Sequence, residues 1–218
     1  MQRNELVSLV AVGATIASAA SADTCVPPPG FVDKPYPELT SADELVTHSE
    51  EVTIERSLAM VRDMASRTPL VINRSGGLPG VTGSHRLNPG PFQAGARRLV
   101  CLTDGGTASE EVLVWEQTPD LSRHRYVVWN YTSPAFGAIS YAIGEFVHTA
   151  LGPTRTQVRW TYSFKLKPSS DSQSFRTDFM DRHYVPYMRS SLAGKKKRAE
   201  QIPIAYSAES PSPTPAAP

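Results

Sequence analysis

Five runs with the marks of β-strands follow one another between residues 97 and 166, and they constrain the chain more than any other stretch. They occupy 97–103, 110–117, 124–132, 141–149 and 157–166. In the last, Val158, Trp160, Tyr162, Phe164 and Leu166 alternate with Arg159, Thr161, Ser163 and Lys165. Side chains along a strand point alternately to the two sides of the sheet, so this run has one buried and one wet face. Asp104-Gly105-Gly106, Pro119-Asp120 and Gly152-Pro153 suit tight turns, and Ser133-Pro134 with Gly137 suits a longer one. Short links of this kind join antiparallel neighbours, so the expected core is an antiparallel meander.

Regular structure is expected on both sides of the meander. Residues 23–40 carry Pro27-Pro28-Pro29-Gly30, Pro35 and Pro37 and read as extended, irregular chain. Ser41 with Glu44 forms a capping-box pattern that predicts a short helix over 42–48. Residues 52–58 alternate as a strand, and 59–67 have helical spacing through Met60, Val61 and Met64 until Thr68-Pro69 ends them. The dense glycines and prolines of 73–95 predict a long loop. After Pro168 a helix is expected over 172–199, with Phe175, Phe179, Tyr184, Tyr187, Met188 and Leu192 on its apolar side. Pro186 should kink it, because proline lacks the N–H that a helix interior uses. Lys195-Lys196-Lys197-Arg198 reads as a solvated, dipole-favourable end, and the Pro/Ser/Ala-rich tail reads as disordered.

The first 22 residues resemble an export signal. Arg3 precedes an apolar run from Leu6 to Ala17, and Ala20-Ser21-Ala22 offers a small-residue cleavage site. The run is too short for an ordinary membrane span, so no stable span is expected in the mature chain. The alternative is an apolar helix retained by a cytosolic protein, and Glu5 is an awkward residue for a signal. On the export reading the protein is periplasmic or secreted. Cys25 and Cys101 are the two cysteines, and both would survive cleavage. They permit one disulfide in an oxidising compartment; otherwise Cys101 is a small core residue. A formal net charge of +1 gives no reason to expect a nucleic-acid partner.

The order of elements, with the runs RRLVCLTDG (97–105), RYVVWNYTSP (125–134), YAIGEF (141–146) and VRWTYSFKL (158–166), resembles the SRPBCC or START-like superfamily. That superfamily includes polyketide cyclase/dehydrase and lipid-transport proteins. The resemblance covers residues 51–199, preceded by a Pro-rich segment at 23–50 and followed by a tail at 200–218. It implies an α+β helix-grip fold, a curved antiparallel β-sheet wrapped around a long C-terminal helix. It further implies a cavity for a hydrophobic small molecule, lipid or polyketide-like. Carriers without catalytic activity and cyclase-like enzymes both occur on this fold, and the first is the preferred reading here. The Gly/Pro-rich 73–95 stands where the superfamily usually has two short helices, so the mouth of the cavity should differ. A third reading makes that loop a docking site for an envelope protein.

Trp115, Trp129, Tyr131, Trp160 and Tyr162 are the aromatic candidates for ligand contact, each also readable as plain core. Glu145, mid-strand, could orient a ligand or move protons, or sit at the surface paired with Arg125 or Arg159. Asn130 faces away from the cavity if Trp129 and Tyr131 face it. Among the histidines, His183 on the last helix is the cavity candidate. No metal spacing, P-loop or dinucleotide fingerprint is present, so no cofactor is expected. The ligand's identity and the oligomeric state are not encoded in any motif.

Overall fold

The computed structural model describes residues 25–67, 72 and 77–201. The expected export signal, the Thr68-Pro69 break, residues 73–76 of the glycine-rich segment and the tail beyond 201 lie outside the described residues. Seven strands form one antiparallel sheet: β1 (Val46–Ile54), β2 (Val81–Arg86), β3 (Arg97–Leu102), β4 (Thr107–Gln117), β5 (Leu121–Trp129), β6 (Ile139–Ala150) and β7 (Thr156–Leu166). Their order is β1-β7-β6-β5-β4-β3-β2. The five expected runs are β3 to β7, each paired with its successor, and the first strand closes the far edge by pairing with the last.

Helix α1 (Leu58–Arg67) follows β1. The C-terminal helix, α2, is continuous through three segments: an α-turn Ser172–Ser174, a π-helical stretch Phe175–Tyr184 and an α-helix Val185–Gln201. Asp171 caps its start, its side chain accepting from the backbone N–H of Ser174. Pro186 stands where the hydrogen-bond register changes from π to α. The N–H of Val185 still bonds the carbonyl of Met180, five residues back, and the next residue has no N–H to offer either register. Phe175, Tyr184, Tyr187, Met188 and Leu192 are buried in the inner core, as the apolar pattern predicts; Phe179 is only partly buried, and Met180, which the pattern did not name, is buried with them.

Three expected elements are different in the structure. The strand expected over 52–58 lies earlier, at Val46–Ile54, and Leu58 already opens α1. The helix expected over 42–48 is only a 3-10 turn, Ala42–Glu44, and strand β1 begins at Val46. Ser41 spends its hydroxyl on the Glu44 carboxylate instead of a backbone N–H, and Glu44 in turn binds Lys165. Pairing with β7 from Val46↔Phe164 to Ile54↔Thr156 outweighs a weak local cap. The long loop also contains a strand, β2, which pairs with β3 and carries a bulge between Val81 and Gly83. Gly83 and polar Thr82, Ser84 and His85 hide that strand from an alternation test.

The segment from Cys25 to Leu45 runs across the outer face of the sheet. Cys25 is disulfide-bonded to Cys101 of β3, with Cα atoms 5.6 Å apart. Asp33 pairs with Arg97, also on β3, at 2.6 Å. Tyr36 meets Trp129 of β5 edge-on at 5.8 Å, and Tyr141 of β6 accepts from the backbone N–H of Thr40 at 2.7 Å. Tyr36, Leu39 and Leu45 cover a small second core made by Val127, Trp129, Tyr141 and Ile143, with Leu113 beside it. Both faces of the sheet are therefore dry at its centre.

Candidate functional site: a cavity between sheet and helix

A cavity of about 550 Å³ lies between the inner face of the sheet, α1 and α2. Strand alternation decides which side chains reach it, and two local devices reset that alternation. On β5, Ser122, His124, Tyr126 and Val128 point inward while Val127 and Trp129 point outward. Asn130 follows with φ 55°, a left-handed conformation that asparagine tolerates better than most residues. This reverses the parity, so Tyr131 turns into the cavity although Trp129, two residues earlier, faces away. On β4, Ala108 and Glu110 point inward. A bulge between Val112 and Val114 then shifts the register, and Trp115 and Gln117 become the inward residues.

β7 needs no such device. Val158, Trp160, Tyr162, Phe164 and Leu166 all join the inner core. Trp160 stacks on Phe146 at 4.9 Å and its indole N–H donates to the hydroxyl of Tyr126 at 3.1 Å. Tyr126 lies over Gly144, the residue directly opposite it on β6, and Tyr162 flanks the same glycine from β7. The absent side chain at Gly144 makes the space in which the Tyr126 ring rests. Burial holds Tyr126, Tyr131, Tyr162 and Tyr184 well above the usual tyrosine pKa, so each keeps its proton as a hydrogen-bond donor.

Two clusters of ionisable side chains interrupt this apolar lining, which also includes Gln117, Ser122 and Ser191. Arg98 donates to Glu110 at 2.7 Å, and Glu110 is only 4% exposed. Burial raises the pKa of Glu110 and the neighbouring guanidinium pulls it back down. Farther along β5 and β6 stand His124 and His148. The Nε2 of His148 lies 2.7 Å from the Nζ of Lys195, whose ammonium also sits 4.7 Å over the Phe146 ring. Burial, then Lys195, pushes His148 well below its usual pKa. Burial, then Arg98 and Lys195, brings His124 down to about 3. Lys195 is half-buried overall, and burial with the nearby Arg198 lowers it to about 8. At neutral pH the pair is therefore an ammonium donating to a neutral imidazole.

Of the aromatic candidates, Trp115, Tyr131, Trp160 and Tyr162 line the cavity. Trp115 is also 39% exposed and touches Phe92 edge-on at 5.3 Å, which places these two rings at the mouth. The other three candidates lie elsewhere. Trp129 is in the outer core beneath Tyr36. Glu145 is on the outer face, where Arg123 donates to it at 2.8 Å, neither of the arginines expected. His183 is half-buried on α2 beside Gly77, outside the lining.

The residues missed were His124, His148, Arg98, Glu110 and Lys195. Spacing carries a signal for three of them: His124 shares a strand face with Tyr126, and His148 with Phe146. Lys195 falls three residues after Leu192 and four before Ala199 on the buried stripe of α2, so it is not part of a solvated basic end. Among the described residues no three metal-ligating side chains gather, and no helix is long and apolar enough to cross a membrane.

This architecture recurs among solved structures. A Helicobacter pylori protein, jhp0584, superposes with a TM-score of 0.55 at 13% identity, covering 77% of this chain and 99% of its own. A START superfamily protein from Mycobacterium smegmatis gives 0.51 at 11% identity, covering 70% and 97%. The Zhui aromatase/cyclase of Streptomyces sp. R1128 gives 0.50 at 13% identity, covering 74% and 98%. The chain has the START-like helix-grip fold. No family model matches its sequence, and no curated protein is similar to it in sequence. The START-like fold alone leaves the chemistry open, since such scaffolds host unrelated functions. In this chain Phe92 stands at the mouth of the cavity, and a disulfide-tied segment crosses the back of the sheet.

Proposed function

We propose that the protein binds and carries a hydrophobic small molecule in this cavity, outside the cytoplasm. The observation that carries the reading is the cavity itself. Its volume of about 550 Å³ falls within the ~300–1,000 Å³ typical of small-molecule sites. It is lined by Tyr126, Tyr131, Trp160, Tyr162, Phe164 and Tyr184, with a smaller set of polar and charged side chains among them. A native disulfide between Cys25 and Cys101 supports an oxidising location, as such bonds are rare in reducing cytosol.

A cyclase-like activity resting on Glu145 or His183 has no support in the geometry, because neither lines the cavity. Native mass spectrometry of the full chain purified from its host's envelope and external fractions tests the carrier reading. A stoichiometric apolar adduct, released on denaturation, is expected. A bare mass, together with no binding of the neutral dye N-phenyl-1-naphthylamine, would overturn the proposal.

A further inference from the structure

Charge in the cavity is unbalanced. Among the described residues, Arg62, Arg98, Lys195 and Arg198 reach its lining against a single carboxylate, Glu110. Arg98 is matched to Glu110, and Arg62 of α1 gives its guanidinium to the backbone carbonyls of Thr118 and Leu121. Lys195 has no carboxylate partner among the described residues. Its hydrogen-bond acceptor is His148 Nε2, itself neutral, which uses one of three ammonium protons. An ammonium drawn into an apolar enclosure without a counter-charge is costly, and a ligand that brings the charge removes the cost. Beside it the Nε2 of His124 is buried with no hydrogen-bond partner. His124 stands directly opposite Phe146 on the neighbouring strand, and Phe146 lies beneath the ammonium.

We propose that the ligand is an amphiphilic anion, a monocarboxylic acid with an apolar body, whose carboxylate binds Lys195 Nζ within the Lys195–His148–His124 cluster. This rests on the carrier reading and names the ligand's class. The apolar body extends toward Tyr162, Phe164 and Tyr184. One ammonium offers one formal charge and two remaining protons, which suits a carboxylate. A dianionic phosphate wants paired guanidinium forks; Arg98 and Arg62 are already engaged, and Arg198 is exposed to solvent at the edge of the lining.

The pH dependence follows from the groups around Lys195. His148 and Phe146 face it from β6, His124 from β5, Arg62 from α1 and Arg198 from its own helix. The histidines, held below their usual pKa, are neutral above pH 7, and Lys195, lowered to about 8, loses its charge as pH rises from there. Acid affinity should fall as pH rises beyond about 8, the bound carboxylate moving the fall upward.

The test is displacement of N-phenyl-1-naphthylamine from the full chain by dodecanoic acid, dodecan-1-ol and dodecyl phosphate, from pH 6.5 to 10. The acid should bind at least about tenfold more tightly than the alcohol at pH 7, as a charge-assisted hydrogen bond supplies. Lys195→Met should abolish that preference, so that acid and alcohol displace the dye at similar concentrations, and displacement by either one also reports an intact cavity. Should that variant fail to fold, the wild-type pH series decides: a preference that does not fall with rising pH overturns the proposal. Equal binding of acid and alcohol, or tighter binding of the phosphate, overturns it while leaving the carrier reading standing. Failure of the dye and all three probes to bind removes both.

Discussion

Replacing Gly144 with alanine would place a methyl group inside the ring of Tyr126, 2.5 Å from its hydroxyl oxygen and 2.6 Å from Cε2. No side chain tolerates such approach, so one partner must move. Tyr126 cannot swing aside freely: it is 6% exposed, its hydroxyl holds the Trp160 indole at 3.1 Å, and Tyr162 stands edge-on at 6.0 Å. Overpacking a well-filled core costs about 1–3 kcal/mol. Loss of the Trp160–Tyr126 hydrogen bond adds about 0.5–1.5 kcal/mol. The sum predicts destabilisation of about 1.5–4.5 kcal/mol, read from urea unfolding curves followed by tryptophan fluorescence. A ring pushed off the sheet also enters the cavity, so dye affinity should fall in the same variant. The control is Gly144→Ala on a Tyr126→Leu background, where the methyl group has room and the added cost should drop below about 1 kcal/mol. A Gly144→Ala protein within about 0.5 kcal/mol of wild type would refute the claim that this glycine exists to seat the ring.

Three other perturbations have defined outcomes. The Cys25–Cys101 link closes 76 positions of chain, so Cys25→Ala with Cys101→Ala should cost about 4 kcal/mol by loop entropy, measured by urea unfolding against the oxidised parent. His124 and His148 have lowered pKa values in the fold, so the unfolded chain takes up their protons first. Stability is then intact above the ordinary histidine pKa of about 6.5 and is lost as pH falls from there toward about 3. His124→Phe with His148→Gln should flatten that part of the stability–pH curve, and an unchanged slope would contradict the assignment. At Asn130, with φ 55°, valine should cost about 1–2 kcal/mol and glycine almost nothing, again by urea unfolding.

What the sequence made legible follows the strength of its periodicity. β7 alternates without interruption, and its five inward residues are the ones the pattern names. The antiparallel meander and the apolar side of α2 were readable for the same reason. The site was harder, because alternation predicts a face only while the strand stays regular. The left-handed Asn130 separates Trp129 from Tyr131, and the β4 bulge turns Trp115 inward, at positions that carry ordinary strand residues. β1 was obscured by a capping pattern at Ser41 and Glu44 that loses to pairing with β7. Lys195 was concealed by its neighbours, since Lys196 and Lys197 make one continuous basic run with it although Lys195 lies on the buried stripe and reaches His148 of the sheet. Glu145 drew notice as a lone mid-strand carboxylate, yet its partner Arg123 is on the adjacent strand of the outer face, a pairing visible only once register is known.

The segment from Cys25 to Leu45 crosses the back of the sheet in the order of the meander's own strands, fastened to β3 by a covalent bond, to β5 and β6 by Tyr36 and Thr40, and to β7 by Glu44. Mechanically it is a brace spanning the back of a bent plate. A plate braced in this way cannot flatten without slipping past each fastening, and flattening is what would widen the space in front. Cleaving one sulfur–sulfur bond frees the brace at its far end. The shape of the cavity in front of the sheet is thereby tied to one covalent bond behind it.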